Sequence, residues 1–120
     1  MSGLIGTSHS RSKIVGKSLD TAKAWCNFNG SGTLAIRDSF GVSSVTDNGT
    51  GNFTVNLLTA IADGNGVCVG TCNHDTGFCS VASCRFSSAT EILCLTSNYN
   101  STYVFSTQYD NSHVFVAVFG

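Results

Sequence analysis

The chain has 120 residues with 6 basic and 7 acidic side chains, and its net charge of −1 argues against a protein that binds nucleic acid through a basic surface. It contains no apolar run long enough for a membrane-spanning helix and no apolar stretch typical of a signal peptide, so we expect neither a membrane protein nor one exported by the general secretory route. Helix-forming residues are scarce, whereas Val, Thr, Ser, Phe, Asn and Gly are abundant, and this composition favours one all-β domain.

The first 20 residues are rich in serine, glycine and basic side chains and show no hydrophobic periodicity. We predict that residues 1–20 form an extended basic N-terminal arm and that residues 21–120 form a single β-sandwich domain. Arg11, Lys13 and Lys17 give the arm its positive charge. Because the segment is short and rich in Ser and Gly, we expect either a solvated tail or one that these residues anchor on a partner protein, and not an arm that binds nucleic acid.

Short β-strand patterns alternate with turn residues along the rest of the chain. The turns are marked by Asn, Asp and Gly, which tolerate the backbone conformations that tight connections need. Many short strands with regular turns indicate a sandwich or a barrel, and we predict an antiparallel, jelly-roll-like β-sandwich. The strands are expected at residues 22–28, 33–38, 42–46, 52–58, 66–73, 78–86, 90–96, 102–107 and 113–119.

The clearest element is a β-hairpin whose second strand alternates apolar and polar residues. Phe53, Val55 and Leu57 fall on one face of that strand, with Asn and Thr on the other. Residues 47–51, Asp-Asn-Gly-Thr-Gly, supply the positive φ angles that a tight connection between twisted strands requires. The expected core comprises the large apolar side chains of this part of the chain, Trp25, Phe28, Phe53, Val55 and Leu57.

The six cysteines admit three interpretations, namely packed thiols, disulfides or a metal site. A chain made in a reducing cytoplasm is expected to keep its thiols, so packed thiols are favoured and the other two stay open. Cys68 and Cys72 would face the same side of a strand about 13 Å apart, too far to hold one zinc ion, and we predict no metal site. The cysteines are Cys26, Cys68, Cys72, Cys79, Cys84 and Cys94.

The sequence contains no recognisable catalytic constellation. His74 and His113 have no flanking motif, and the serine-elbow and HExxH zinc motifs are both absent. Most carboxylates fall in turns, where Asp is a common structural residue. We therefore expect a protein that is not an enzyme and that needs no cofactor.

A region near the C-terminus concentrates all three tyrosines among Asn and Ser. Tyrosine gives a large contact area at low entropic cost, and Asn and Ser give adaptable hydrogen bonds, a composition typical of recognition loops. The alternative is that these residues form an ordinary strand face and a polar loop. The residues predicted to bind a ligand are Asn98, Tyr99, Tyr103, Tyr109 and Asn111.

The last predicted strand is apolar on both faces, with three valines on one side and Phe-Ala-Phe on the other. Burial on both sides means either a central strand or one that packs on the core and on a second subunit. Because an exposed face of this kind would promote aggregation, we predict a homo-oligomer. Its interface is predicted to contain Val114, Phe115, Val116, Val118 and Phe119.

Three segments carry a more specific signal. They are residues 21–30 (Thr-Ala-Lys-Ala-Trp-Cys-Asn-Phe-Asn-Gly), residues 36–51 with their Asp-Asn-Gly-Thr-Gly turn, and the ending Val-Ala-Val-Phe-Gly at residues 116–120. These segments resemble the terminal modules of tailed-bacteriophage tail fibres and related virion proteins, especially those of marine and cyanobacterial phages. The resemblance covers about half of the chain, and residues 64–96, with their many cysteines, depart from it.

The resemblance implies a virion structural protein, made in the cytoplasm of a bacterial host, whose β-rich subunits form a homotrimer. One hypothesis is a tail-fibre or receptor-binding module that attaches to a glycan or protein of the host surface, with the Tyr- and Asn-rich region at its tip. The alternative is a head decoration or head-fibre protein anchored on the capsid by residues 1–20. In both cases the partners are further copies of the chain and other virion proteins, without contact to nucleic acid or membrane.

Overall fold

The computed structural model describes residues 21–61, 65–74, 80–99 and 105–120. These residues form nine β-strands and no helix. The predicted arm, with Arg11, Lys13 and Lys17, lies outside the described residues. The strands are β1 (Ala22–Asn29), β2 (Ala35–Phe40), β3 (Val42–Gly49), β4 (Asn52–Leu57), β5 (Val67–Asn73), β6 (Ser80–Ser88), β7 (Glu91–Tyr99), β8 (Phe105–Gln108) and β9 (His113–Phe119).

The strands form two antiparallel sheets that pack against each other. The first sheet has the order β2-β1-β9-β5, and the second has the order β3-β4-β7-β6 with β8 also paired to β7. The prediction of an all-β, sandwich-like antiparallel domain is therefore confirmed. Within the described residues there is no helix long and apolar enough to cross a bilayer.

The β3–β4 hairpin closes through the turn that its sequence predicts. Gly49 and Gly51 have φ angles of 131° and 62°, values that residues other than glycine rarely adopt. The backbone amide of Gly49 donates a 2.9 Å hydrogen bond to the side chain of Asp47, as in an Asx turn. The period-two pattern of β4 then places Phe53, Val55 and Leu57 in the interior.

The core lies between the two sheets and is built from alternate residues of β1, β4, β7 and β9. Phe28 and Phe53 are fully buried and meet edge to face, with ring centroids 5.2 Å apart. The buried apolar residues are Ala24, Cys26, Phe28, Phe53, Val55, Leu57, Ile61, Ile92, Cys94, Val114, Val116 and Val118.

Trp25 does not belong to this core, contrary to the expectation from its size. It is 38 % exposed, because Ala24 and Cys26 on either side of it point inward and successive residues of a strand face opposite sides. The outward direction of Trp25 gives the first sheet an aromatic residue on its solvent side.

Candidate functional site

The solvent side of the first sheet is apolar across its whole width. The strand register places four apolar side chains in one row, Phe40 on β2, Trp25 on β1, Ala117 on β9 and Val69 on β5. Directly paired residues project from the same side of a sheet, so these four form a continuous surface. We call this surface the aromatic face and define it as Trp25, Phe40, Val67, Val69, Phe115, Ala117 and Phe119.

The aromatic face is well exposed to solvent. Phe40, Val67 and Val69 expose 57 %, 59 % and 51 % of their surfaces, and Trp25 and Phe115 expose 38 % each. Single exposed apolar residues are common on proteins, whereas large contiguous apolar patches are typical of interaction sites.

A groove of about 360 Å³ crosses the aromatic face between Trp25, Val69 and Phe115. Asn27 also lines it. Among the described residues, the Oδ1 atom of Asn27 is the one buried side-chain nitrogen or oxygen without a hydrogen-bond partner. A buried carbonyl oxygen left without a donor costs about 1–3 kcal/mol.

The residues predicted to form the subunit interface lie on opposite sides of β9. Val114, Val116 and Val118 point inward and are 0–3 % exposed, so they fill the core of the chain itself. Phe115 and Phe119 alternate with them and lie on the aromatic face. The inner side of β9 is therefore buried within this chain, and its outer side is the one that a partner could cover.

The solvent side of the second sheet is polar where β3 pairs with β4. The Asn56 amide donates hydrogen bonds of 3.0 Å to the hydroxyls of Ser44 and Thr46. On the same face the Asn48 amide donates a 2.8 Å hydrogen bond to Thr54. These side chains hydrogen-bond to one another. The sandwich therefore has a polar outer face on the second sheet and an apolar outer face on the first sheet.

The residues predicted to bind a ligand lie in contrasting positions. Asn98 and Asn111 are 6 % and 0 % exposed, and the Ser80 hydroxyl lies between them, 2.8 Å and 3.2 Å from their amide oxygens, so that its one proton is shared between the two acceptors. Tyr103 lies outside the described residues, and only the backbone of Tyr99 is described. Within the described part of the set, only Tyr109 is an exposed side chain, and ligand binding by the set stays a prediction.

Tyr109 lies at one end of the sandwich on a backbone that is firmly held. Its amide donates to the Thr96 carbonyl at 2.9 Å, and its own carbonyl accepts from the Thr96 hydroxyl at 2.6 Å. The ring is 41 % exposed and meets His74 edge to face, with centroids 5.0 Å apart. This arrangement displays one aromatic side chain from a fixed position.

Replacing Ser80 with alanine is expected to lower the free energy of unfolding by about 1–2 kcal/mol, because the buried amide oxygens of Asn98 and Asn111 would lose their shared donor. Denaturant titration measures the change. Ser83→Ala is the control, since Ser83 is exposed on the same strand. Equal stability of the two variants would show that the hydroxyl of Ser80 does not hold the two asparagines.

The five described cysteines are buried or partly buried. The five described cysteines carry no disulfide, and Cys79 lies outside the described residues. Burial raises the pKa of the Cys26 thiol to about 11, so this thiol stays protonated at neutral pH. Cys68, Cys72, Cys84 and Cys94 face inward on β5, β6 and β7. In the described part of the chain, no three Cys, His, Asp or Glu side chains are grouped so that they could hold a metal ion.

Comparison of the chain with family models, with curated proteins and with solved structures finds no match. The surfaces of this chain and its sequence resemblance to phage virion proteins are therefore the grounds for a functional proposal.

Proposed function

We propose that the protein is a non-enzymatic structural protein of a bacteriophage virion, a homotrimeric module of the tail-fibre or receptor-binding type. The observation that carries the proposal is the aromatic face, since a chain that leaves a broad apolar sheet surface open needs a partner to cover it. The phage assignment and the number of three subunits come from the sequence resemblance of residues 21–30, 36–51 and 116–120.

One apolar face per chain is sufficient for a closed trimer. Three copies related by a three-fold axis can turn the same face toward that axis, where each contacts both neighbours. The row of Phe40, Trp25, Ala117 and Val69 spans the full width of the first sheet, which suits such a shared surface.

The jelly-roll-like connection is part of the same proposal. The pairing of β1 with β9, the first and last described strands, favours it, because a strand that returns to lie beside the first is the mark of Greek-key connections. In such a trimer the end that carries Tyr109 and the polar side of the second sheet stay open for contact with a host surface glycan or protein.

Phe115→Lys is expected to reduce the mass of the assembly to that of a single chain, because it places an ammonium group on the aromatic face, at the groove that Trp25 and Val69 also line. Val81→Lys is a matched control, since Val81 is also 38 % exposed but lies on β6 in the other sheet. Light scattering coupled to gel filtration gives the two masses. If both variants keep the mass of the original protein, the aromatic face is not the interface.

The place of the protein on the particle decides between a tail module and a head decoration. Antibody labelling of intact virions, followed by electron microscopy, should place the chain on the tail or its fibres. Labelling spread over the head would favour the alternative, a decoration protein held on the capsid by residues 1–20. Absence of the chain from purified virions would overturn the virion proposal as a whole.

A further inference from the structure

Two cysteines on neighbouring strands lie in direct contact inside the second sheet. Cys84 on β6 and Cys94 on β7 are paired in the antiparallel register, and their Sγ atoms are 3.5 Å apart and share a hydrogen bond. Cys94 is completely buried, whereas Cys84 is partly exposed. No other pair of cysteines occupies facing positions on neighbouring strands in the described residues.

This pairing is compatible with a covalent bond. Directly opposed residues of antiparallel strands have Cα atoms about 4.5–5.5 Å apart, within the range of about 4.4–6.8 Å that disulfides span. Bond formation must bring the sulfurs from 3.5 Å to the ~2.05 Å of a disulfide, a change that side-chain rotation can supply without moving the strands apart.

The position of β6 gives one of the two thiols a route to solvent. β6 is the edge strand of the second sheet, next to β5 of the first sheet. Gly70 on β5 faces Cys84, and a side chain at Gly70 would meet its sulfur. The Cys84 sulfur therefore packs closely on the backbone of Gly70, and Cys84 remains partly exposed while Cys94 is completely buried.

We propose that Cys84 and Cys94 are a modification site, at which thiol–disulfide exchange with a small-molecule disulfide forms an intramolecular cross-strand disulfide. The Cys84 thiolate attacks one sulfur of the reagent and forms a mixed disulfide with it, while the reagent's S–S bond breaks and its other sulfur leaves as a thiol. The Cys94 sulfur then attacks the Cys84 sulfur and releases the second thiol. Two protein thiols are oxidised and one reagent disulfide is reduced to two thiols, with both protons accounted for.

The electrostatics of the pair agree with the role of Cys84 as the first nucleophile. The hydrogen bond between the two thiols lowers the pKa of Cys84, the thiol that must attack first. The same hydrogen bond, together with burial, raises the pKa of Cys94. Cys94 reacts only in the second, intramolecular step, in which it does not need to meet the reagent. Formation of the bond depends on this geometry and not on the proposed virion function.

The test uses the full chain, purified with a reductant and then incubated with oxidised glutathione. The expected intact mass is lower by about 2 Da, for the loss of two hydrogens. Trypsin cleaves after Arg85 and separates residues 38–85 from residues 86–120, whose one cysteine is Cys94. The two peptides should stay linked until a reductant is added, and fragment spectra should place the link at Cys84. The oxidised protein should melt about 5–10 °C above the reduced protein.

Two variants complete the test. Cys84→Ser should abolish the link between the two tryptic peptides, whereas Cys26→Ser should leave it intact, because Cys26 lies on β1 away from the pair. The proposal is overturned if the peptides of the original chain stay separate, if the link maps to Cys68, Cys72 or Cys79, or if it persists without Cys84. The position of the disulfide link in the original chain tests the proposal even where a variant fails to fold.

Discussion

Replacing Phe53 with alanine is expected to lower the free energy of unfolding by about 3–5 kcal/mol, the largest effect of any single truncation considered for this chain. Phe53 is completely buried between the sheets and packs edge to face on Phe28. Its ring also lies against Gly30, where an added side chain would meet the ring at 2.6 Å. Removal of the ring therefore leaves a cavity that these close-packed neighbours fill only in part.

The matched control for Phe53→Ala is Leu58→Ala. Leu58 directly follows β4 and is 68 % exposed, so its truncation is expected to change stability by less than about 0.5 kcal/mol. Urea titration of both variants gives the difference in unfolding free energy. A loss below about 1 kcal/mol for Phe53→Ala would mean that the two sheets do not pack around this ring.

Replacing Gly51 with alanine is expected to cost at least about 3 kcal/mol of stability, because two separate penalties add. The φ angle of Gly51 is 62°, a left-handed conformation that costs other residues about 1–2 kcal/mol. A Cβ atom would also meet the Thr96 carbonyl oxygen and the Tyr109 amide nitrogen, both at 2.5 Å. These are backbone atoms of the strand network and cannot move aside cheaply.

Gly32→Ala separates the two penalties. Gly32 has nearly the same φ angle, 66°, but an added Cβ would have no atom within 4 Å. It should therefore show only the conformational cost of about 1–2 kcal/mol. Thermal or denaturant unfolding measures both variants. Equal losses would show that the turn at Gly51 is not packed against Thr96 and Tyr109.

The strands could be predicted well from the sequence, because period-two patterns and Asn-Gly turns are local signals. The hairpin at residues 42–57 follows from the alternation of Phe53, Val55 and Leu57 and from the glycines that close it. The outward direction of Trp25 is predictable in the same way, because Ala24 and Cys26 on either side of it face inward. The size of its side chain favours a core position, but the alternation of side chains along β1 places Trp25 on the solvent side.

The candidate surfaces depend on contacts between distant parts of the chain and could be predicted only in part. The apolar outer side of β9 was foreseen from Phe115 and Phe119, but its extension to Phe40 and Val69 requires the strand order of the first sheet. Likewise, the composition around Asn98 is typical of a recognition loop, and only the contact with Ser80 places that amide in the interior.

The Cys84–Cys94 pair could be predicted from the sequence only approximately. The turn between residues 88 and 91 joins β6 to β7, but counting back from it along both strands brings position 84 opposite 95, and a register shift between Phe86 and Ser88 places Cys84 opposite Cys94 instead. The partial exposure of Cys84 and the complete burial of Cys94 could not be read from that count, because they depend on the packing of the two sheets.

The mass of the unmodified chain in solution tests the central proposal, self-association through the aromatic face, most directly. Light scattering coupled to gel filtration at micromolar concentration should give three times the 12.5 kDa mass of one chain. A stable particle of 12.5 kDa would contradict the proposal that copies of the chain cover this face, and a particle of twice that mass would contradict the three-fold assembly.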